Sequence, residues 1–295
     1  MKTIVYYHDN CTDGFGAAFC VYKSLGRENV EYVPCNYGDA PPLAAQYAGN
    51  RVVIVDFSFP LDIMKHIFAL AEHTTWLDHH KTAFEAFGRS LDEVVHDNTE
   101  KYTIVLDNSR SGAALAFDWF FGGDNGRPAM IDLIDDRDRW QFKLKWTREF
   151  HEAIQMAKPW TFEQWDHLDA LFYSDPAKLT AFIERGETAL AVQKRHVESA
   201  VRHASPCVIN TIHTSHEGLA VNSTVHASEI GNELATAGGT YGLIYTVKNA
   251  NEVIVSLRSN GDYDVSAIAK YFGGGGHKNA AGFKTNVETL LRIIG

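Results

Sequence analysis

At 295 residues the chain is long for one domain, and its 45% hydrophobic and 12% aromatic content suits packed cores, which excludes a disordered or fibrous protein. The formal net charge is −10, from 37 acidic against 27 basic side chains. That balance argues against a binder of long duplex nucleic acid, whose affinity rests on phosphate contacts, yet a short phosphorylated ligand needs only a few local cations. The four cysteines, Cys11, Cys20, Cys35 and Cys207, form no CxxC pair and read as thiols in a reducing compartment. The opening residues are too briefly apolar for a signal peptide, and no later run has membrane length, so a cytoplasmic protein without a membrane partner is expected.

In chain order, TIVYYH (3–8) predicts a strand and GFGAAFCVYKSL (14–25) a helix. EYVPC (31–35) predicts a short strand. RVVIVDF (51–57) is a nearly continuous β-branched run, as in a strand buried on both faces. LDIMKHIFALAEH (61–73) has helical spacing, with Ser58 or Pro60 near its start. TTWLDHH (74–80) and TIVLDNS (103–109) end two further strands, and SGAALAFDWFF (111–121) opens a helix with Ser111 as N-cap. Strands alternating with helices predict an α/β fold, a doubly wound parallel sheet. From about Trp146 to His203 the β signal disappears, and a long amphipathic helix near 176–203 carries Leu179, Ile183, Leu190, Val197 and Val201 on one stripe. Beyond Pro206 the pattern predicts a smaller mixed α/β domain, with hairpin pairing between Tyr241–Lys248 and Glu252–Arg258. The expected organisation is therefore a first domain over 1–159, a helical connector over 160–205 and a C-terminal domain over 206–295.

In an open α/β sheet, ligands bind beyond the carboxyl ends of the strands. After the first strand come His8, Asp9, Asn10 and Asp13; after the third comes Asp56; after the fourth come Asp78, His79 and His80. A later acidic cluster, LIDDRDRW, supplies Asp135, Asp136 and Asp138. A lone Asp after a strand is usually a turn residue, but successive strands deliver carboxylate and imidazole to one sheet edge. Such a set suits Mn²⁺ or Mg²⁺, and the mutual repulsion of its carboxylates favours two ions over one. Two ions about 4 Å apart clamp a phosphoryl group during in-line displacement.

Near the C-terminus, YFGGGGHKNAAGF (271–283) predicts a turn whose bare backbone N–H groups curl around an anion, with His277 and Lys278 adding donors or charge. Arg258, closing VIVSLRS, is a candidate bidentate phosphate ligand. Trp160 and Trp165 in KPWTFEQW are better read as core than as base-stacking residues. His213 and His216 lack a third ligand nearby, and Cys11 reads as buried packing.

Taken in order, HDNCTDGFGAA, VDFS, LDHH, the Asp cluster and GGGGHKNAAGF resemble the DHH phosphoesterase superfamily. The closer likeness is to its branch with a DHH-associated C-terminal domain, which includes nanoRNase-type oligoribonucleases, cyclic-dinucleotide phosphodiesterases and RecJ-like exonucleases. The resemblance implies that the first domain is catalytic, with His8, Asp13, Asp56, His79 and Asp136 binding two Mn²⁺ ions and Asp56 bridging them. It implies that His80 faces the scissile phosphate and that Asp78 orients the loop. Arg258, Gly275, Gly276, His277 and Asn222 would hold substrate. Two departures stand out: the first motif lacks a second acidic residue at the usual spacing, where Asn10 or Asp9 would substitute, and the fourth motif leaves Asp135 beside Asp136. The implied activity is hydrolysis of short oligonucleotides or linear dinucleotides to nucleoside monophosphates. The alternatives are a phosphomonoesterase on 3′,5′-bisphosphorylated nucleosides, a cyclic-dinucleotide phosphodiesterase, or a silent nucleotide-binding sensor. A dimer is compatible with the sequence.

Overall fold

The computed structural model describes residues 1–123, 126–212 and 214–295. His213 lies outside the described residues. The chain divides into two compact units, Met1–Leu190 and Ala191–Gly295.

The first unit is built on strands β1 (Thr3–His8), β2 (Val30–Cys35), β3 (Arg51–Val55), β4 (His73–Asp78), β5 (Val95–Asn98) and β6 (Tyr102–Leu106). They form a sheet in the order β2-β1-β3-β4-β6-β5, parallel except for β5, which pairs antiparallel with β6 at the edge. Strand β5 is short and mostly exposed, with none of the apolar alternation that marks the other strands in the sequence.

Side chains on successive residues of a strand point to opposite faces, and here both faces are apolar. Val5, Tyr7, Val53, Val55 and Leu77 pack on one side against α1 (Thr12–Leu25), α5 (Gly112–Phe121), α6 (Ala129–Asp138) and α8 (Phe162–Ser174). Ile4, Tyr6, Val52, Ile54 and Trp76 pack on the other against α3 (Leu61–Leu70) and α4 (Lys81–Ala86). This is the expected doubly wound architecture. Trp165 is buried in the first of these cores. Ser111 caps α5, its hydroxyl accepting from the Ala114 N–H at 3.3 Å.

Strand β1 connects to β2 on one side, and β3 then lies on the other side of β1. The strand order therefore reverses at β1/β3, where open sheets of this kind leave a crevice beyond their carboxyl ends. His8 ends β1, and Asp56 directly follows β3.

The long helix α9 (Pro176–Arg202) begins in the first unit, where Leu179 and Ile183 join its core. It ends in the second, where Val197 packs with Val221, Ile230 and Leu234. The second unit carries β7 (Ser205–Asn210), β8 (Ser215–Asn222), α10 (Ala227–Gly238), β9 (Tyr241–Asn249), β10 (Glu252–Ser259), α11 (Val265–Tyr271), β11 (Gly275–His277), β12 (Ala280–Thr285) and α12 (Val287–Ile294). Its sheet runs β11-β12-β10-β9-β8-β7, mixed because β8 and β9 are parallel. The expected hairpin is present as the antiparallel β9–β10 pair.

The glycine run departs from the expectation of a turn. Gly275–His277 is an edge strand, paired antiparallel with Ala280–Gly282. A Cβ on Gly274 would lie 2.1 Å from the Gly282 carbonyl oxygen, and one on Gly276 would lie 2.5 Å from that of Ala280. Gly276 also has a φ of 136°, which L side chains rarely adopt. These glycines let β11 approach β12; a loop would not require that spacing.

Candidate metal centre

His8, Asp13, Asp56 and His79 converge beyond β1, β3 and β4. The His79 Nε2 atom lies 3.0 Å from Asp56 Oδ1, 3.5 Å from Asp13 Oδ2 and 3.7 Å from Asp138 Oδ2. On the other side of Asp56, its Oδ2 lies 3.6 Å from His8 Nδ1. Asp56 thus stands between the two imidazoles, and only 1% of it is exposed. Its backbone is left-handed, with φ at 52°, a conformation that costs a non-glycine residue about 1–3 kcal/mol and clusters at functional sites.

Each carboxylate is aimed by a local device. Asp13, in the first turn of α1, accepts hydrogen bonds from the Gly112 and Ala113 N–H groups at 2.6 and 2.9 Å, at the opening of α5. The positive end of a helix favours an anion there. Asp78 Oδ1 accepts from the backbone N–H groups of His79 and His80 at 2.8 and 3.1 Å, and it lies 2.7 Å from His80 Nδ1. That one oxygen shapes the DHH turn and commits Nδ1 of His80, so Nε2 is the nitrogen directed elsewhere.

The acidic cluster after the sheet resolves by helix geometry. Residues three apart share a helix face, whereas a neighbour is turned by about 100°. Asp138 reaches His79, and Asp135 accepts from the Ser111 N–H at 2.7 Å. Asp136 does not join the centre: its carboxylate accepts from the Lys143 and Leu144 N–H groups and from the Thr147 hydroxyl. It pins the loop that follows α6. Of the acidic cluster it is thus Asp138, not the expected Asp136, that the structure sets beside His79 and Asp13. The Asn10 amide donates to Asp9 at 2.8 Å, and Asp9 is in none of the ligand clusters found among the described residues. Cys11 is in one: its sulfur, a His8 nitrogen and an Asp56 oxygen lie within 4.8 Å of one another.

The loop pinned by Asp136 holds three aromatics in left-handed backbone, Trp140, Phe142 and Trp146, with φ of 56°, 52° and 76°. Arg137 lies over the Trp140 ring at 4.4 Å and Arg148 over Phe142 at 3.4 Å. Nothing in the spacing of these residues singled them out, since their backbone is strained rather than periodic. Gly112 was equally silent. A Cβ there would lie 2.5 Å from the Cβ of Asp56, so its absence makes room for the central carboxylate.

The donor set fits divalent cations. The Nδ1 of His8 and the Oδ2 atoms of Asp56 and Asp78 are buried without a hydrogen-bond partner, an arrangement that costs about 1–3 kcal/mol per group unless a ligand answers it. Burial disfavours the charged form of His8, but the Asp56 carboxylate outweighs this and pushes it up to about 11. Burial also opposes charge on His79, and the same carboxylate holds it well above the usual imidazole range. Burial raises Asp13, and the neighbouring carboxylates of Asp56 and Asp138 raise it further. The pocket is therefore one of concentrated negative charge relieved by protons, which cations would replace.

In the second unit, the Arg258 guanidinium donates to the Ser228 hydroxyl and the Leu257 carbonyl, and its stem packs on Gly231. Asn222 donates from its amide to the Tyr245 carbonyl at 3.0 Å. Gly275, Gly276 and His277 lie on the edge strand, and His216 Nδ1 lies 2.8 Å from the Tyr263 hydroxyl.

Residues 220–294 match the family model described as the DHHA1 domain. The chain is 28% identical to an uncharacterized protein, R106, of Acanthamoeba polyphaga mimivirus, over 95% of this chain and 66% of that protein. It is 24% identical to the oligoribonuclease NrnB of Bacillus subtilis (strain 168), over 74% of this chain and 54% of that protein. It thus spans between about half and two thirds of the length of these relatives. RecJ from Thermus thermophilus, solved in complex with Mn²⁺, shares the fold with a TM-score of 0.50 at 13% identity, over 98% of this chain and 50% of that one. The second unit thus carries a match to the DHHA1 domain, and the first unit carries the DHH turn by which the sequence resembles the DHH phosphoesterase superfamily.

Proposed function

We propose that the protein is a metal-dependent phosphodiesterase that hydrolyses short oligonucleotides or linear dinucleotides to nucleoside monophosphates. The observation that carries this reading is the convergence of His8, Asp13, Asp56, His79 and Asp138 around buried, partnerless polar atoms. Two divalent cations, Mn²⁺ or Mg²⁺, would be held there with Asp56 between them, supplying charge against the phosphoryl oxygens and acidifying the attacking water. Asp78 orients the turn and presents His80, whose Nε2 donates to the phosphate being cleaved. Arg258, Asn222 and the strand Gly275–His277, at the edge of its sheet, bind the substrate's phosphate through side-chain donors and backbone N–H groups. The name of the Bacillus subtilis relative, an oligoribonuclease, supports the substrate class, and the Mn²⁺ complex of RecJ supports the cofactor. A net charge of −10 supports short substrates over long strands.

The test is a Mn²⁺-dependent turnover screen over dinucleotides, longer oligomers, cyclic dinucleotides and 3′,5′-bisphosphorylated nucleosides, with Asp56→Asn alongside. Dinucleotide cleavage to monophosphates, lost on Asp56→Asn with the fold intact, is expected. Selective turnover of bisphosphorylated nucleosides or cyclic dinucleotides would replace the substrate assignment. Nucleotide binding without turnover would make the protein a sensor.

A further inference from the structure

We propose that Cys11 is a thiolate ligand of the metal centre, so that the centre has two chemically unlike positions, one soft and one hard. The inference rests on the metal-centre reading above and concerns which ion each position selects.

Cys11 sits at the N-cap of α1, a place where Ser, Thr, Asp or Asn would normally bond the first turn, yet its side chain makes no cap hydrogen bond. Its sulfur instead faces His8 and Asp56, the three ligating atoms lying within 4.8 Å of one another. The other two members are the orphans of the site: His8 Nδ1 and Asp56 Oδ2 are buried without partners, and Asp56 is 1% exposed. One imidazole nitrogen, one thiol sulfur and one carboxylate oxygen around one point are three ligands for a single cation. The second group, Asp13, His79 and Asp138, contains no sulfur.

Ligand softness then separates the two positions. A thiolate favours Zn²⁺, Co²⁺ or Fe²⁺ over Mn²⁺ and Mg²⁺, whereas carboxylates with one imidazole leave the harder ions preferred. On binding, the thiol proton leaves to solvent and the sulfur–metal bond takes its place. The remaining cysteines have other partners. Cys20 donates to the Ala113 carbonyl, Cys35 to that of Val33, and Cys207 pairs with the Tyr241 hydroxyl. A thiolate–metal signal in the native protein therefore reports Cys11.

The full-length, metal-stripped protein is titrated with Co²⁺ while near-ultraviolet absorption and bound metal per chain are followed. A sulfur-to-cobalt charge-transfer band that saturates at one ion per chain is expected, with a second ion binding without adding to it. Cys11→Ser should abolish the band and weaken that one ion by about tenfold or more, the scale seen even for partners outside the direct ligands. Cys11→Asp should bind two ions with no band and shift the competition between Zn²⁺ and Mn²⁺ toward Mn²⁺. The native spectrum decides even if Cys11→Ser fails to fold. Two bound Co²⁺ ions without a thiolate band, or a band that survives in Cys11→Asp, overturns the role of Cys11 and leaves the metal centre standing. No divalent ion bound by the native protein at all overturns the centre itself.

Discussion

Asp136 and Asp138 differ by two positions in the chain, and that difference separates a loop anchor from a member of the charged cluster. Asp138→Asn should lower Mn²⁺ affinity by about tenfold or more while leaving the melting temperature near that of the native protein. Asp136→Asn should do the reverse: it leaves three donors around a weakened acceptor, costs about 1–3 kcal/mol and changes Mn²⁺ affinity little. Calorimetric Mn²⁺ titration and thermal melts on both variants separate the roles, and equal metal loss in the two would contradict them. Gly112 imposes a constraint of a different kind. A methyl group in Gly112→Ala would meet Asp56 at 2.5 Å, and the backbone N–H of the same residue already holds Asp13 at 2.6 Å. The variant should lose about 1–3 kcal/mol of stability through overpacking and bind Mn²⁺ at least tenfold more weakly. Unchanged metal affinity would show that Asp56 has room to move.

Helix α5 is the element on which the site depends, because its opening N–H groups hold Asp13 and its flank is clamped by charge. Asp118, on that helix, accepts from Arg110 at 2.7 Å and from both Nε and Nη2 of Arg127, at 2.8 and 2.7 Å. Burial alone would raise the Asp118 carboxyl, but the guanidinium groups of Arg127 and Arg110 outweigh it and hold it below the usual carboxylate range. A carboxyl depressed in the folded state contributes stability above its unfolded value, near 3.9, and that contribution is lost as pH falls through the lower, folded value. Asp118→Asn should therefore cost about 1.5–3 kcal/mol at neutral pH, with the deficit shrinking in acid below about pH 4. Denaturant melts of both proteins across pH check this; a deficit that stays constant into acid would mean the charge contributes nothing. How much of the element scale was legible in sequence varies with periodicity. The β-branched run 51–55 and the cap at Ser111 were readable, whereas β5 and β11 were not, being short, exposed or glycine-rich.

At the scale of the whole molecule, the net charge of −10 acts on every approaching polyanion. A dinucleotide brings few charges to that field and a long strand brings many, so kcat/KM should fall with oligomer length at low salt. Raising ionic strength shortens the Debye length from about 30 Å at 0.01 M to about 8 Å at 0.15 M, and the gap between short and long substrates should narrow. Measuring kcat/KM against length at two salt concentrations checks this, and a preference for long strands that strengthens at low salt would contradict it. No helix among the described residues is long and apolar enough to cross a membrane.

By itself the sequence determined the alternation of strands and helices, and with it the edge on which HDNCTD, VDFS and LDHH lie. Parallel strands deliver the residues that follow them to one side of a sheet, so order along the chain becomes proximity in space. The β9–β10 hairpin of the second unit was readable too, from apolar runs of strand length, whereas the parallel β8–β9 pair was not. Only the tertiary structure decided between Asp136 and Asp138, moved Cys11 from packing to the centre, required glycine at 112 and drew Gly275–His277 into a strand. Each of those depends on which way one side chain points, or on how closely two backbones approach across a hundred residues or fewer than ten. Spacing along the chain carries neither quantity; they are decided when the helices pack against the sheet.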